Sequence, residues 1–416
     1  MAHTLLRHRD VPNIHRLDVY QENGGYDAWR KALGEMTPDA VKAEVRKANI
    51  RGRGGAGFPA GVKWGFIPQK DGPKYVVINA DESETGTFKD REICERNPHQ
   101  VIEGALICAY AIGAHRVYIY FRGEFLRAMD DFEQAIRDVY EAGIVGTNVF
   151  DSGFDVEFYS HYGAGAYICG EETALLASLM GELGMPWSRP PFPAVQGLYA
   201  SPTVVNNVET LANVPPVISK GADWYLSIGA EGSPGTKVVC VSGRVQKPGN
   251  YEIEMGKTTY RDLIMDLAGG PPEGRTVKAF FPSGGSGAIV TAEALDAPVS
   301  FDGLQSFGSM MGSASVIVCD DTVDMVWAAL KAVHFFHHES CGKCTPCREG
   351  TFWMDNVLHR IYHGHAEKSD IGLLQSVAKQ MQGKCLCALG EFAVMPVLSA
   401  YKHFPEEFEA KIAQPV

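Results

Sequence analysis

The chain has 416 residues, 45% of them hydrophobic and 21% charged, with a formal net charge of −12. That composition excludes a disordered chain, and the acidic balance argues against a nucleic-acid-binding surface. No apolar run reaches the roughly 18 to 20 residues of a membrane-spanning helix, because Asp320, Asp321 and Asp324 break the stretch from Val316 to Val333. The opening MAHTLLRHRDVPN has no apolar signal core, so a soluble protein in a reducing compartment is expected.

Up to about Asn49 the chain reads as surface-lying helix, followed by the glycine-dense loop RGRGGAGFPAG. PKYVVINA reads as a buried strand that ends in the acidic loop DESETGT. NPHQVIEGALICAYAIGA predicts an apolar helix, HRVYIYFRG a strand, EFLRAMDDFEQAIRDVYEAG an amphipathic helix and FDVEFYS a third strand. The loop HYGAGAY and the helix GEETALLASLMG follow, and then WSRPPFPAVQG, too proline-rich for helix or central strand. Strands alternating with helices predict a mainly parallel α/β sheet. From Thr236 the texture changes to short strands and turn residues, which predicts a small α+β module ending near Cys319. Four helical segments then predict a small bundle. The expected units are therefore 1–235, 236–320 and 321–416.

Of ten cysteines, Cys341, Cys344, Cys347, Cys385 and Cys387 crowd the last fifth of the chain. Clustering in a chain without a secretion signal points to metal rather than to a disulfide framework. Cys94, Cys108, Cys169, Cys240 and Cys319 are scattered and read as buried thiols. In ESCGKCTPCREGT three cysteines recur every third residue. Zinc sites usually show two separated pairs, whereas three thiolates on one tight loop suit a 4Fe-4S cluster. The fourth ligand then comes from GKCLCALGE, where Cys385 and Cys387 compete. A helix starting near Arg348, together with Lys343, Arg348 and Lys384, would place positive charge beside an anionic cluster. The bland alternative is a structural zinc or iron site. His334, His337 and His338 read as packed or solvated side chains.

GRGGAG, Gly52 to Gly57, matches the dinucleotide fingerprint in letters only, because a helix precedes it and Phe58-Pro59 follows. It reads better as a backbone surface for a flat or phosphorylated ligand, with Arg53 and Lys63 adding positive charge and Phe58 and Phe66 able to stack on a ring. Asp81, Glu82 and Glu84 follow a strand end, where ligands bind in such sheets, and suit sugar or ribityl hydroxyls. Gly170, Glu171 and Glu172 open a helix, and Asn206, Asn207 and Thr210 offer further hydrogen bonds. Such loops beside an iron–sulfur cluster suggest a flavin, which takes hydride as an electron pair and releases electrons singly.

RGRGGAGFPAGVKW, NADESETGTFKDR, YICGEETALL, RPPFPA, VVNNVET, SCGKCTPCREG and CALGE occur in that order. Together they closely resemble the NADH-binding flavoprotein subunit of respiratory complex I, over nearly the whole chain. The resemblance implies a Rossmann-like FMN domain, a ubiquitin-like β-grasp (SLBB) domain and a C-terminal four-helix bundle carrying one 4Fe-4S cluster. It implies hydride transfer from NADH to FMN, then single electrons to the cluster, with no acid–base residue. It places the fourth cluster ligand at Cys387, beside Cys341, Cys344 and Cys347, and leaves Cys385 a bystander. The FMN and NADH pocket would be lined by Gly54, Gly55, Ala56, Gly57, Phe58 and Lys63, and by Asn79, Asp81, Glu82, Ser83 and Glu84. Phe58, Phe66 and Phe192 resemble aromatic contacts with the nucleotide, and Glu84 and Glu172 resemble carboxylates near the nicotinamide and ribose. Asn79, Asp81, Tyr167, Gly170, Glu171, Asn206, Asn207 and Thr210 resemble FMN contacts. One departure is Glu84-Thr85-Gly86, where the family commonly has Glu-Pro-Gly. A carboxylate facing the adenosine ribose would favour NADH over NADPH.

The implied partners are a small 2Fe-2S subunit and a large multi-cluster iron–sulfur subunit, with membrane contact only through them, on the cytoplasmic side of a bacterial membrane or in the mitochondrial matrix. The diaphorase subunit of an NAD-linked hydrogenase or formate dehydrogenase is the related alternative. Such relatives often carry a thioredoxin-like or ferredoxin-like extension that these residues do not include. A non-catalytic metal-stapled scaffold is the alternative of another class.

Overall fold

The computed structural model describes residues 3–412. The outermost residues of the first and last expected units, 1–2 and 413–416, lie outside the described residues. A four-stranded sheet is built from β1 (Tyr75–Ala80), β2 (Arg116–Phe121), β3 (Glu157–Tyr162) and β4 (Thr203–Asn207), in the order β3-β2-β1-β4. Every pairing is parallel. β1 reads YVVINA because it is covered on both faces, and a strand buried on both sides is continuously apolar rather than alternating. The helix Pro98–Ile112 packs beneath it with all but one residue buried. Its buried Glu103 is satisfied from the N-terminal helices: Tyr20 donates its hydroxyl to Glu103 at 2.5 Å, and the Trp29 N–H donates to Glu103 at 3.1 Å.

β4 and the helix Val208–Ala212 occupy VVNNVET, which the sequence reading treats as a loop. Asn207 ends the strand and caps the helix, accepting from Glu209 N–H at 3.0 Å. The order of strands reverses between β1 and β4, so the ligand crevice of this architecture opens between their carboxyl ends. Asn79 and Asn207 are direct neighbours there.

The second sheet has five strands, in the order Val290–Thr291, Val277–Gly285, Ser315–Asp320, Thr236–Gly243 and Gly249–Glu254. Only the pairing of Ser315–Asp320 with Thr236–Gly243 is parallel. The segment YRDLIMDLAG forms a π-helical turn over Asp262–Leu267.

Four helices follow, Met325–Glu339, Thr345–Tyr362, Lys368–Met381 and Ala388–His403, with a short fifth, Pro405–Glu409. Their apolar faces share one core with Val77, Leu175 and Phe281, which joins the bundle to both sheets. No helix among the described residues is long and apolar enough to cross a membrane.

Candidate functional site

A cavity of about 390 Å³ lies at the carboxyl ends of β1 and β4, within the usual size of cofactor pockets, ~300–1,000 Å³. Gly54, Gly55 and Ala56 form one wall, Asn79, Asp81, Glu82, Ser83 and Glu84 a second, and Tyr167, Gly170, Glu171 and Asn207 a third. These are twelve of the expected positions. Gly57, Phe58, Lys63, Phe66, Glu172, Phe192, Asn206 and Thr210 do not line it. Phe58, Phe66 and Phe192 are exposed instead, with the Phe58 and Phe66 rings 6.0 Å apart.

The hydrogen bonds show which of the wall's polar groups are free. Asn79 ties two loops together, donating to Gly170 O at 2.8 Å and accepting from Asp81 N–H at 3.1 Å. Glu82 accepts from the N–H groups of Asp90 and Arg91 and so caps the helix Lys89–Arg96. Glu171 caps the helix Glu172–Leu179 through Thr173 and Ala174 N–H. Glu84 accepts from Tyr167 Oη at 3.0 Å and from Gly285 N–H at 3.1 Å. Glu172 holds Lys63 at 2.7 Å and Arg189 at 2.8 Å. Glu82, Glu84 and Glu171 of the wall, and Glu172 outside it, are therefore committed inside the protein.

Asp81 is the exception. Its Oδ1 accepts from Ser83 Oγ at 2.8 Å, while its buried Oδ2 has no partner. Burial pushes the carboxyl up to about 7, against the pull of the Ser83 hydroxyl and of Arg122. A buried acceptor without a donor costs free energy unless a ligand supplies one.

Two expectations about charge are corrected. Arg53 lines the cavity, but most of its guanidinium is committed to the scaffold, with Nε left buried and unpartnered. Its guanidinium is fully buried and donates to Tyr225 Oη, Pro234 O and Thr236 O, tying the loop to the second sheet. Lys63 is neutralised by Glu172 and donates to Val205 O. Phe58-Pro59 also does not delay helix formation, since Pro59 is the N-cap of a helix that begins at Ala60. Asn206 and Thr210 serve the scaffold, accepting from Trp64 Nε1 and from Arg53 N–H.

The sequence reading missed the wall supplied from the second sheet, which includes Ser283, Ser286, Gly312 and Ser313. The run PSGGSG carries the signal, a cluster of small residues where backbone approaches closely. Gly284 has φ +55°, and a Cβ there would lie 2.2 Å from Thr85 O. That contact holds the acidic loop against the sheet.

Cys341, Cys344, Cys347 and Cys387 line a second, smaller cavity together, and Cys385 does not. Cys344 is the N-cap of Thr345–Tyr362, and Cys387 is the N-cap of Ala388–His403. Two helix N-termini thus face the thiolates, which favours negative charge. The first begins at Thr345, ahead of the expected start near Arg348. Lys343 is held by Pro186 O at 2.7 Å, and Arg348 pairs with Glu349 at 2.9 Å. Among the described residues, the one group of three ligand atoms within 4.8 Å of one another is His334, His337 and Asp355. Four cysteines around one cavity fit an iron–sulfur cluster. The two cavities share Ile168, Cys387 and Leu389.

Residues 45–216 match the Nuo51 FMN-binding domain, 238–287 the SLBB domain, and 327–411 the NADH-ubiquinone oxidoreductase-F iron-sulfur binding region. The chain is 53% identical to the F 2 subunit of the NADH-quinone oxidoreductase of Rhizobium meliloti (strain 1021), over 99% of this chain and 97% of that protein. It is 49% identical to the F subunit of the NADH-quinone oxidoreductase of Streptomyces coelicolor, over 95% and 88%. A solved NAD+-reducing [NiFe]-hydrogenase in the H2-reduced state superposes with a TM-score of 0.86 at 35% identity, covering 99% of this chain and 67% of that one.

Proposed function

The chain belongs to the family of F subunits of NADH-quinone oxidoreductase, and from that premise we propose that the larger cavity seats FMN and the four-cysteine cavity the 4Fe-4S cluster. It is an NADH dehydrogenase, the electron-input subunit of a multi-subunit NADH-quinone oxidoreductase. Its units are taken as 1–235, 236–320 and 321–416. The observation that carries the site assignment is the wall of Ile168, Cys387 and Leu389 common to both cavities.

When bound, FMN takes hydride from NADH as an electron pair, and the cluster passes electrons on one at a time. The residues of the chain bind and orient. Asp81 Oδ2 accepts a hydroxyl of the flavin side chain, and Gly54 and Gly170 let backbone approach the cofactor. A Cβ at Gly170 would stand 3.2 Å from Asp81 O, and one at Gly54 3.2 Å from Asn207 Cβ. Cys341, Cys344, Cys347 and Cys387 are the cluster ligands. Phe58, Phe66 and Phe192 stand exposed and offer ring faces to the nucleotide of NADH. No group is assigned to proton abstraction, because hydride transfer depends on geometry.

Electrons leave to a small 2Fe-2S subunit and a large multi-cluster subunit, with the assembly peripheral on the cytoplasmic face of the membrane. The hydrogenase diaphorase is the second reading, favoured only by the superposition at 35% identity, well below the 53% shared with an NADH-quinone oxidoreductase chain.

The test is anaerobic addition of NADH to the flavin-loaded protein. Prompt loss of flavin absorbance with NADH and little with NADPH is expected, and a bound flavin that NADH leaves oxidised would overturn the pocket assignment. Asp81→Asn removes an acceptor that a donated flavin hydroxyl would hold in its charged form. A hydrogen bond to a charged group is worth ~1.5–3 kcal/mol, so FMN binding should weaken roughly 10- to 100-fold. Flavin fluorescence recovered on dilution measures this, and unchanged retention would remove Asp81 from the site.

A further inference from the structure

His334, His337 and Asp355 lie outside both cavities. His334 and His337 are three residues apart on the helix Met325–Glu339, so they share one face. Asp355 comes from the adjoining helix Thr345–Tyr362. One oxygen, Asp355 Oδ2, meets His337 Nδ1 at 2.9 Å and His334 Nδ1 at 3.1 Å. The other oxygen, Oδ1, is buried and unpartnered.

Two imidazoles converging on one carboxylate oxygen have two explanations. One is an ion pair near a helix C-terminus, where protonated histidine is stabilised. The other is a site for a transition ion. In tetrahedral zinc sites with bonds of ~2.0–2.1 Å, ligand atoms stand roughly 3.3 Å apart. The two contacts to Asp355 Oδ2 are close to that spacing, and all three ligand atoms lie within 4.8 Å of one another. Two imidazole nitrogens and one carboxylate oxygen suit a divalent first-row transition ion and not calcium or magnesium. His334 is exposed, so the remaining coordination positions open to water. The Phe352 ring packs edge-on to His337 at 5.5 Å and limits its rotation.

The geometry points to a transition-metal site at His334, His337 and Asp355, which takes Zn²⁺ or a similar ion. An ion held there bridges the two helices on either side of the Ser340–Cys344 connection. Metal at Nδ1 takes the place of the hydrogen bond to Asp355, and each neutral ring then carries its proton on Nε2, the other tautomer.

The test uses the intact protein carrying its flavin and cluster, stripped of loose metal by a chelator and then dialysed to equilibrium against Zn²⁺. Zinc and iron are both counted. Wild type is expected to bind one zinc per chain with its iron unchanged. His334→Ala, at an exposed position that folding tolerates, should weaken binding by at least roughly 10- to 100-fold, the scale seen even for outer-shell losses. Asp355→Asn should do the same. The thermal midpoint of wild type should rise with Zn²⁺, and that of His334→Ala should not. Equal uptake by wild type and His334→Ala overturns the site, as does uptake accompanied by iron loss, which would place the zinc on the cysteines. No uptake by wild type leaves only the ion pair and equally overturns it.

Discussion

Cys387→Ala is expected to lose the iron–sulfur cluster, while Cys385→Ala keeps it. The two cysteines are separated by one residue and are both half-buried, so position in the sequence does not distinguish them. Their surroundings do. Cys387 lines the cavity shared with Cys341, Cys344 and Cys347, at the N-terminus of Ala388–His403. Cys385 turns to the backbone, with its Sγ 3.5 Å from Met381 O, and packs on Gly390, where an added Cβ would meet that sulfur at 2.2 Å. Iron per chain and the paramagnetic signal of the reduced cluster give the measurement. The flavin of the Cys387 variant should still be bleached by NADH, because the larger cavity keeps its other walls. Full iron content in Cys387→Ala would return the fourth-ligand role to Cys385.

Glu209→Gln is expected to cost ~3–5 kcal/mol of stability, the range found when one partner of a buried ion pair is removed. Glu209 is fully buried in the helix after β4. Its Oε2 lies 2.6 Å from Lys237 Nζ and 2.9 Å from Lys89 Nζ, and its Oε1 accepts from Val238 N–H at 2.9 Å. Lys237 belongs to the second sheet, so this carboxylate joins the two sheets. The amide would leave Lys89 paired with Asp90 and Lys237 without a salt-bridge partner. Burial alone would raise the Glu209 carboxyl, but Lys237, Lys89 and Arg53 outweigh it and hold the group at about 2. A folded-state value below the unfolded one contributes stability that is complete above pH ~4.5 and is lost as pH falls toward 2. Thermal melts at neutral pH should separate variant from wild type widely. That gap should narrow on acidification through this window, and a gap independent of pH would show that packing, and not charge, holds the two sheets together here.

The parallel strands, the apolar helix, the bundle and the cysteine loop are legible in the sequence because each rests on a local period or spacing. The acidic loop is legible as a place but not as chemistry. Nothing in NADESETGT distinguishes Asp81 from Glu82 and Glu84, because the distinguishing partners are remote. Glu84 is bonded to Gly285, 201 residues away. Arg53 misleads for the same reason. Its partners Tyr225, Pro234 and Thr236 lie in segments that carry no motif. In VVNNVET the hydrogen-bonding residues draw the eye, and the β-branched pair before them, which makes the strand, is easily passed over.

The cavity assigned to FMN has walls that run from Arg53 to Phe392. A chain still emerging from the ribosome, even with its first sheet complete, has no finished pocket until the last long helix has been synthesised and docked. A complete flavin pocket is therefore a property of the completed polypeptide.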